Sequence, residues 1–208
     1  MPHPIQGIAV TAVQECSEET SGLTRPTITV TYVLIVLNLA AYVYTSILGG
    51  NFFVTSPHIL AIFGQFNLVV MRGGYWQLFT SLFVHANLIH LLFNMLFLFI
   101  FGVRAEELFG GVKCLLIYLF SGLAGNLLTL LLGPNTISAG ASGAIFGLFG
   151  ACVIYLGKTR GRSVIAALVY SAYLLMISAS ANVNVLAHLG GLLTGLLIGY
   201  TLVRTGTS

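Results

Sequence analysis

Long apolar stretches dominate the chain, and most of its polar residues fall in the connections between them. Six stretches can be separated, at roughly residues 27–48, 86–103, 114–132, 142–157, 163–179 and 185–203. A helix needs ~20 apolar residues to cross a bilayer, so the pattern predicts six transmembrane spans, some of which begin below the membrane surface. We therefore expect an all-α polytopic membrane protein built as a six-helix bundle.

The basic residues predict how the six spans are oriented. Only Arg72 falls in an odd-numbered connection, whereas the other seven lie in terminal or even-numbered ones: Arg25, Arg104, Lys113, Lys158, Arg160, Arg162 and Arg204. By the positive-inside rule, both termini are expected in the cytosol of a cell-membrane protein. We expect a cytosolic tail at 1–26, without the features of a signal peptide, a membrane domain at 27–204 and a C-terminal tail at 205–208.

The connection at 49–85 is too long for a turn, yet it is strongly apolar. Crossing the membrane as a helix would upset the charge pattern. We expect instead a membrane-associated loop of short helices, lying in the outer leaflet or packed on the bundle and anchored by Tyr75 and Trp76.

Composition narrows the possible functions. The chain is 57% hydrophobic and only 6% charged, whereas soluble domains carry about 25% charged residues. Its net charge of +3 is too small and too scattered to suggest nucleic-acid binding. The three cysteines, Cys16, Cys114 and Cys152, form no CxxC motif, so neither a disulfide framework nor a zinc site is expected. Cys114 and Cys152 are expected to pack as small apolar residues near the cytosolic side.

Four polar residues fall inside predicted spans, where polar groups are costly and call for an explanation. His90 and Asn94 lie one turn apart near the outer end of span 2, Ser142 opens span 4, and His188 lies near the outer end of span 6. Spans 2, 4 and 6 run in the same direction, so these residues are expected to converge at similar depth.

Glycines predict which helices touch. Small residues at four-residue spacing let helix backbones approach closely in lipid, and spans 4 and 6 both carry glycine series: Gly143, Gly147 and Gly150, and Gly191, Gly195 and Gly199. If the two series face each other, Ser142 can reach His188 at hydrogen-bond distance.

Each of these residues also has a purely structural interpretation. Ser142 could bond back to its own helix, the histidines could be packing residues or a gate, and Asn94 could join helices. The glycines could serve packing alone. A metal site is disfavoured because no carboxylate or cysteine lies at the same depth as the histidines.

Three motifs together resemble the rhomboid family. GASGAIFG at 140–147 is similar to the family's GxSG motif with its GxxxG continuation, HANLIHLLFNM at 85–95 to HxxxxHxxxN, and AHLGGLLTG at 187–195 to AHxxGxxxG. The order, the spacing and the six-span plan also match, over roughly residues 27–203.

The resemblance implies an intramembrane serine protease that cleaves single-pass transmembrane substrates near the outer membrane face, with no cofactor. Ser142 would be the nucleophile, His188 the general base, and His90, Asn94 and the Ser142 backbone N–H the oxyanion hole. The residues expected to support them are Gly140, Gly143, Phe146, His85 and Trp76. Glu106, expected just beyond the inner end of span 2, matches a structural glutamate of the family.

Two residues depart from the family pattern. Many members carry Trp-Arg in the first outer loop, where this chain has Trp76 followed by Gln77. Many bacterial members have a tyrosine four residues after the serine, stacked on the catalytic histidine, where this chain has Phe146.

Other functions of membrane proteins fit this sequence less well. The chain has no HExxH string and no aspartate, which disfavours zinc and aspartyl proteases. The absence of aspartate also means that the Ser142–His188 pair would act as a dyad. The main alternative is an inactive rhomboid-like protein that binds membrane clients; such relatives generally lack the serine or the histidine. A transporter or channel should show paired intramembrane charges or broken helices in repeated halves, and neither is present.

Overall fold

Five long helices form the body of the part of the protein that the structure describes. The computed structural model describes residues 28–161, 163, 165 and 184–205. Within these residues, the helices long and apolar enough to cross a membrane are α1 (Val30–Gly49), α5 (Leu88–Phe109), α6 (Gly111–Thr129, continued as a 3₁₀ turn over Leu130–Leu132), α7 (Ser142–Arg160) and α8 (Val185–Thr205). They correspond to predicted spans 1, 2, 3, 4 and 6. Predicted span 5, at roughly 163–179, lies outside the described residues except at 163 and 165, and the tail at 1–26 lies wholly outside them.

The inner end of span 2 differs from the expectation. Helix α5 continues to Phe109 and stops at Gly110, whose φ of 79° favours glycine. Glu106 and Glu107 therefore lie in the last turn of the helix and not beyond it. The predicted span was too short because the run of apolar residues ends before Arg104, whereas the helical hydrogen bonds of the backbone continue to Phe109.

Three short helices occupy the connection between α1 and α5. They are α2 (Pro57–Phe63), α3 (Asn67–Met71) and α4 (Gln77–Thr80). Strand β1 (Gln65–Phe66) pairs antiparallel with β2 (Ile137–Ser138), in the connection before α7. The sequence did not predict this ladder, since two residues are too few to show strand alternation.

The two glycine series face each other, as their spacing predicts. A Cβ added at Gly191 would collide with the Gly143 carbonyl oxygen, one at Gly195 with that of Gly147, and one at Gly199 would lie 2.7 Å from the Cα of Ala151. Helices α7 and α8 therefore touch backbone to backbone. Helix α6 packs against both of them, whereas α1 packs mainly on α5.

The outward surfaces of the long helices are apolar. Large side chains such as Val36, Ile47, Ile89, Leu131 and Leu197 are exposed. No described residue covers these side chains, and lipid is the medium in which such surfaces are stable. The protein is a multi-pass membrane protein.

Candidate active site

The starts of three helices meet at one end of the bundle. Ser142 is the first residue of α7, His188 the fourth of α8 and His90 the third of α5. The Ser142 Oγ lies 2.7 Å from the His188 Nε2. At this distance the hydroxyl can donate its proton to a neutral imidazole, the arrangement that activates a serine as a nucleophile.

The His188 ring is held by an aromatic stack. Phe146, one turn after Ser142 on α7, lies 4.6 Å from it between ring centroids, with an interplanar angle of 25°. His188 is buried, and its Nδ1 has no hydrogen-bond partner among the described residues. In this part of the chain, the ring is oriented by the stack and by its own helix, and no carboxylate contacts it.

Gly140 brings His90 close to the serine. Its φ is +133°, and a Cβ there would lie 2.8 Å from the His90 Cε1 and 3.0 Å from its Nε2. Any other residue at 140 would strain the backbone and displace the imidazole. Gly143 has a similar function on the other side, because a Cβ there would lie 3.0 Å from the Ala187 carbonyl oxygen.

Asn94 is buried below His90 and bonded to its own helix. Its Nδ2 donates to the His90 carbonyl oxygen at 2.8 Å, while its Oδ1 has no partner among the described residues. An amide nitrogen carries two hydrogens, so one remains available. No hydrogen bond joins Asn94 to Ser142 in the structure.

His85 is fully buried beside His90, with 5.3 Å between the ring centroids. Its Nδ1 lies 3.3 Å from the Phe83 carbonyl oxygen, to which it can only donate. Burial first, and the neighbouring His90 second, lower the pKa of His85 to about 3. His85 is therefore neutral at physiological pH and acts as a packed donor.

Trp76 lies apart from the dyad, whereas its neighbour Gln77 is buried. Trp76 is 60% exposed, which suits the predicted interfacial anchor better than a contact with the site. The Gln77 Oε1 accepts from the Phe66 N–H at 2.8 Å, and its Nε2 donates to the carbonyl oxygens of Ala61 and Ile62 at 2.8 and 3.0 Å. Gln77 thus joins three elements of the loop at the position where many family members have arginine.

Glu106 holds the start of α1. Its carboxylate accepts from the backbone N–H groups of Thr29, Val30 and Thr31, each at 2.9 Å, and from the Thr31 hydroxyl at 2.8 Å. It therefore satisfies N–H groups that a helix start leaves unpaired. The sequence indicated a structural glutamate but not this partner, since the two residues are 75 or more positions apart.

One residue near the dyad was missed by the sequence analysis. Asn184 immediately precedes α8, and its Oδ1 accepts from the Ala187 N–H at 3.0 Å. An asparagine directly before an apolar run is a known helix-start signal. Among the described residues, no cluster of three or more His, Cys, Asp or Glu side chains could hold a metal.

Comparisons with known proteins place this geometry in context. A family model described as "Rhomboid domain" matches residues 72–205. The putative rhomboid protease YdcA of Bacillus subtilis (strain 168) is 36% identical over 147 residues, which are 67% of this chain and 73% of that protein.

Two further relatives are longer than the matched region. RHOMBOID-like protein 6, mitochondrial, of Arabidopsis thaliana is 40% identical over 141 residues, 65% of this chain and 46% of that protein. The rhomboid protease GluP of Bacillus subtilis is 32% identical over 174 residues, 80% of this chain but only 33% of GluP. The match thus spans less than half of each of these two proteins.

Proposed function

Because the chain belongs to the rhomboid family, we propose that it is an intramembrane serine endopeptidase acting through a Ser142–His188 dyad. Its substrates would be single-pass membrane proteins, cut in or near their transmembrane segments. The observation that carries this proposal is the 2.7 Å contact between the Ser142 Oγ and the His188 Nε2, formed between residues 46 positions apart.

In the proposed reaction, His188 acts as general base and then as general acid in each of two steps. The Ser142 Oγ attacks the scissile carbonyl carbon while His188 Nε2 takes the hydroxyl proton. The tetrahedral intermediate collapses as His188 returns that proton to the leaving amine, which gives an acyl-enzyme. A water molecule, activated by the same imidazole, then hydrolyses the ester and regenerates Ser142.

The start of α7 suits the stabilisation of an oxyanion. The first backbone N–H groups of a helix have no partner within it, and the helix dipole is positive there. We propose that the Ser142 N–H, the His90 ring against Gly140 and the free N–H of Asn94 act as donors. Asn94 lies one turn further along α5 than His90, so it would donate from the side of the oxyanion hole that is further from the start of α5.

Charge supports an orientation with both termini in the cytosol and the site opening toward the outer face of the cell membrane. The helix starts that carry the site residues lie at one end of the bundle. The basic residues of the long helices lie in or near the opposite halves: Arg104, Lys113, Lys158 and Arg204.

Nucleophilic catalysis by Ser142 is tested by Ser142→Ala. The variant should fold normally but lose both cleavage of a model transmembrane substrate and labelling by a fluorophosphonate probe. Ser46→Ala, at a buried serine in α1, is the matched control and should retain both. Normal turnover in purified Ser142→Ala would refute the proposal. A wild-type protein that binds the substrate but is neither labelled nor active would instead support the client-binding alternative.

The oxyanion donors are tested by the double variant His90→Ala, Asn94→Ala. Loss of one such donor typically lowers turnover by about 10²–10³. The double variant should therefore react at least that much more slowly, with little change in KM. If it is folded and turns over at the wild-type rate, this assignment is wrong.

A further inference from the structure

Asn184 connects the two segments that carry the dyad. We infer that it is a positioning residue that sets the register between His188 and Ser142; this inference rests on the function proposed above. Asn184 is half-buried at the start of α8, one turn before His188.

Every polar atom of the Asn184 side chain is engaged. Its Nδ2 donates to the Thr129 Oγ1 at 2.6 Å and to the Ser138 Oγ at 2.9 Å, while its Oδ1 accepts from the Ala187 N–H at 3.0 Å. The partners fix the orientation of the amide. The Ala187 N–H can only donate, and Thr129 gives its own hydroxyl proton to the Gly125 carbonyl oxygen at 3.0 Å. Thr129 must therefore accept from Asn184.

Two hydrogen bonds join the dyad segments at equal sequence offsets. Ser138 precedes Ser142 by four residues, and Asn184 precedes His188 by four. The Asn184 Nδ2 lies 2.9 Å from the Ser138 Oγ. One turn further along each segment, the His188 Nε2 lies 2.7 Å from the Ser142 Oγ. A shift of α8 along its axis that lengthened the first bond would also separate His188 from Ser142.

The glycine contacts alone leave such a shift possible. Gly191 and Gly195 have no side chains to interlock with α7, so they set the separation of the helices more strongly than their register. Thr129 is itself held in place, because it is buried and its carbonyl oxygen accepts from the Asn67 Nδ2 at 2.9 Å. The bonds of Asn184 therefore fix the outer end of α8 against α6 and β2.

The dyad depends on this register. A hydrogen bond of 2.7 Å is lost when its atoms move apart by roughly 1 Å, and a misplacement of that size can cost about 10²-fold in rate. No described residue forms a hydrogen bond with the Nδ1 of His188, so no bond on that side of the ring would hold it in place when its helix moves.

The informative variant is Asn184→Asp. An aspartate still caps α8 through one oxygen, but its other oxygen cannot donate to Thr129. The Thr129 hydroxyl proton is engaged by the Gly125 carbonyl oxygen, so this bond is lost. We expect an unchanged KM and a kcat lowered by about 10- to 100-fold, with the melting temperature near that of the wild type. Asn135→Asp makes the same change at an exposed position in the connection before α7 and should retain the wild-type kcat.

Variants of Ser138 test the second bond of the Asn184 Nδ2, and they do so without adding a charge. Ser138→Ala removes the acceptor and should lower kcat, whereas Ser138→Thr retains a hydroxyl and should restore it. If Asn184→Asp and Ser138→Ala are folded and retain the wild-type kcat, the inference is wrong. It is also wrong if their losses only follow the melting temperature.

A spectroscopic measurement separates this inference from the proposed function. In protein with ¹⁵N-labelled histidine, the His188 Nε2 resonance reports its hydrogen bond to Ser142 without any turnover. It should shift in Asn184→Asp but not in Asn135→Asp. An unlabelled and inactive wild type would overturn the proposed function, whereas an unchanged His188 resonance in Asn184→Asp would overturn the positioning role.

Discussion

The interface between α7 and α8 and the interface between α1 and α5 are built in different ways. Between α7 and α8, glycines bring the backbones into direct contact, as at Gly195 and Gly147. Between α1 and α5, side chains make the contact: a Cβ at Gly102 would lie 2.8 Å from the Thr31 Cγ2, and Glu106 binds the start of α1. The first interface fixes the separation of its two helices, because neither backbone can yield.

The difference follows from what holds helices together in lipid. Apolar side chains gain little by leaving lipid for a helix surface, so close packing and polar bonds supply the association. The Ser142–His188 contact lies at the interface that fixes the helix separation most tightly. The start of helix α1 is bound by the Glu106 carboxylate, far from that contact. Changes at α7–α8 should therefore affect the chemistry, and changes at α1–α5 mainly stability.

Gly195→Val should have the largest effect. Its side chain would collide with the Gly147 backbone, and overpacking costs typically about 1–3 kcal/mol, occasionally more. We expect a lowered melting temperature and loss of cleavage. Gly102→Val is the matched change at the other interface and should cost less, because the atoms nearest to its Cβ belong to the Thr31 side chain and not to a backbone. An unchanged melting temperature in Gly195→Val would contradict the backbone contact.

Glu106→Gln should lower stability by about 1–3 kcal/mol, because an amide cannot accept all the hydrogen bonds that the carboxylate accepts. The control is Glu107→Gln. Glu107 forms only an exposed ion pair with Arg104, at 2.8 Å, and surface substitutions usually change stability by no more than about 0.5 kcal/mol. Thermal denaturation in detergent and in liposomes measures both.

Activity in Glu106→Gln should fall only as far as its stability does. The twelve-residue step from Asn94 to Glu106 spans roughly 18 Å along a helix, beyond the reach of a hydrogen bond. If a well-folded Glu106→Gln keeps its melting temperature and its fluorophosphonate labelling but loses the cleavage step, a carboxylate takes part and the dyad mechanism fails.

The five described long helices could be predicted from sequence because long apolar runs have few alternatives in a membrane. The proximity of Ser142 and His188 followed from helix direction and glycine spacing. The partners of Glu106, Gln77 and Asn184 could not be predicted. Each is a polar side chain that bonds backbone or hydroxyl groups distant in sequence, and neither hydropathy nor periodicity records such pairs.

Phe146→Ala should have a smaller effect than the changes above. An aromatic pair contributes about 0.5–1.5 kcal/mol beyond its buried area, so loss of the stack on His188 should lower kcat by up to about tenfold. Phe146→Tyr keeps a ring in place and should retain activity. Initial rates on a model transmembrane substrate distinguish the two. Equal rates in Phe146→Ala and the wild type would mean that the stack does not orient the imidazole.

The smallest effect concerns pH and appears only in acid. His85 lies before α5, outside the membrane-spanning helices, and burial together with His90 lowers its pKa to about 3, whereas an unfolded histidine has a pKa of about 6.5. The stability that this difference contributes is present above about pH 6.5 and is lost as the pH falls toward 3, because only the unfolded chain then binds the proton.

His85→Asn cannot titrate, and its amide can still donate to the Phe83 carbonyl oxygen. The melting temperature of this variant should therefore decline less steeply between about pH 6.5 and pH 4 than that of the wild type. His58→Asn makes the same change at an exposed histidine and is the matched control. If His85→Asn and the wild type lose stability in parallel over this range, His85 is not the buried neutral group that the structure indicates.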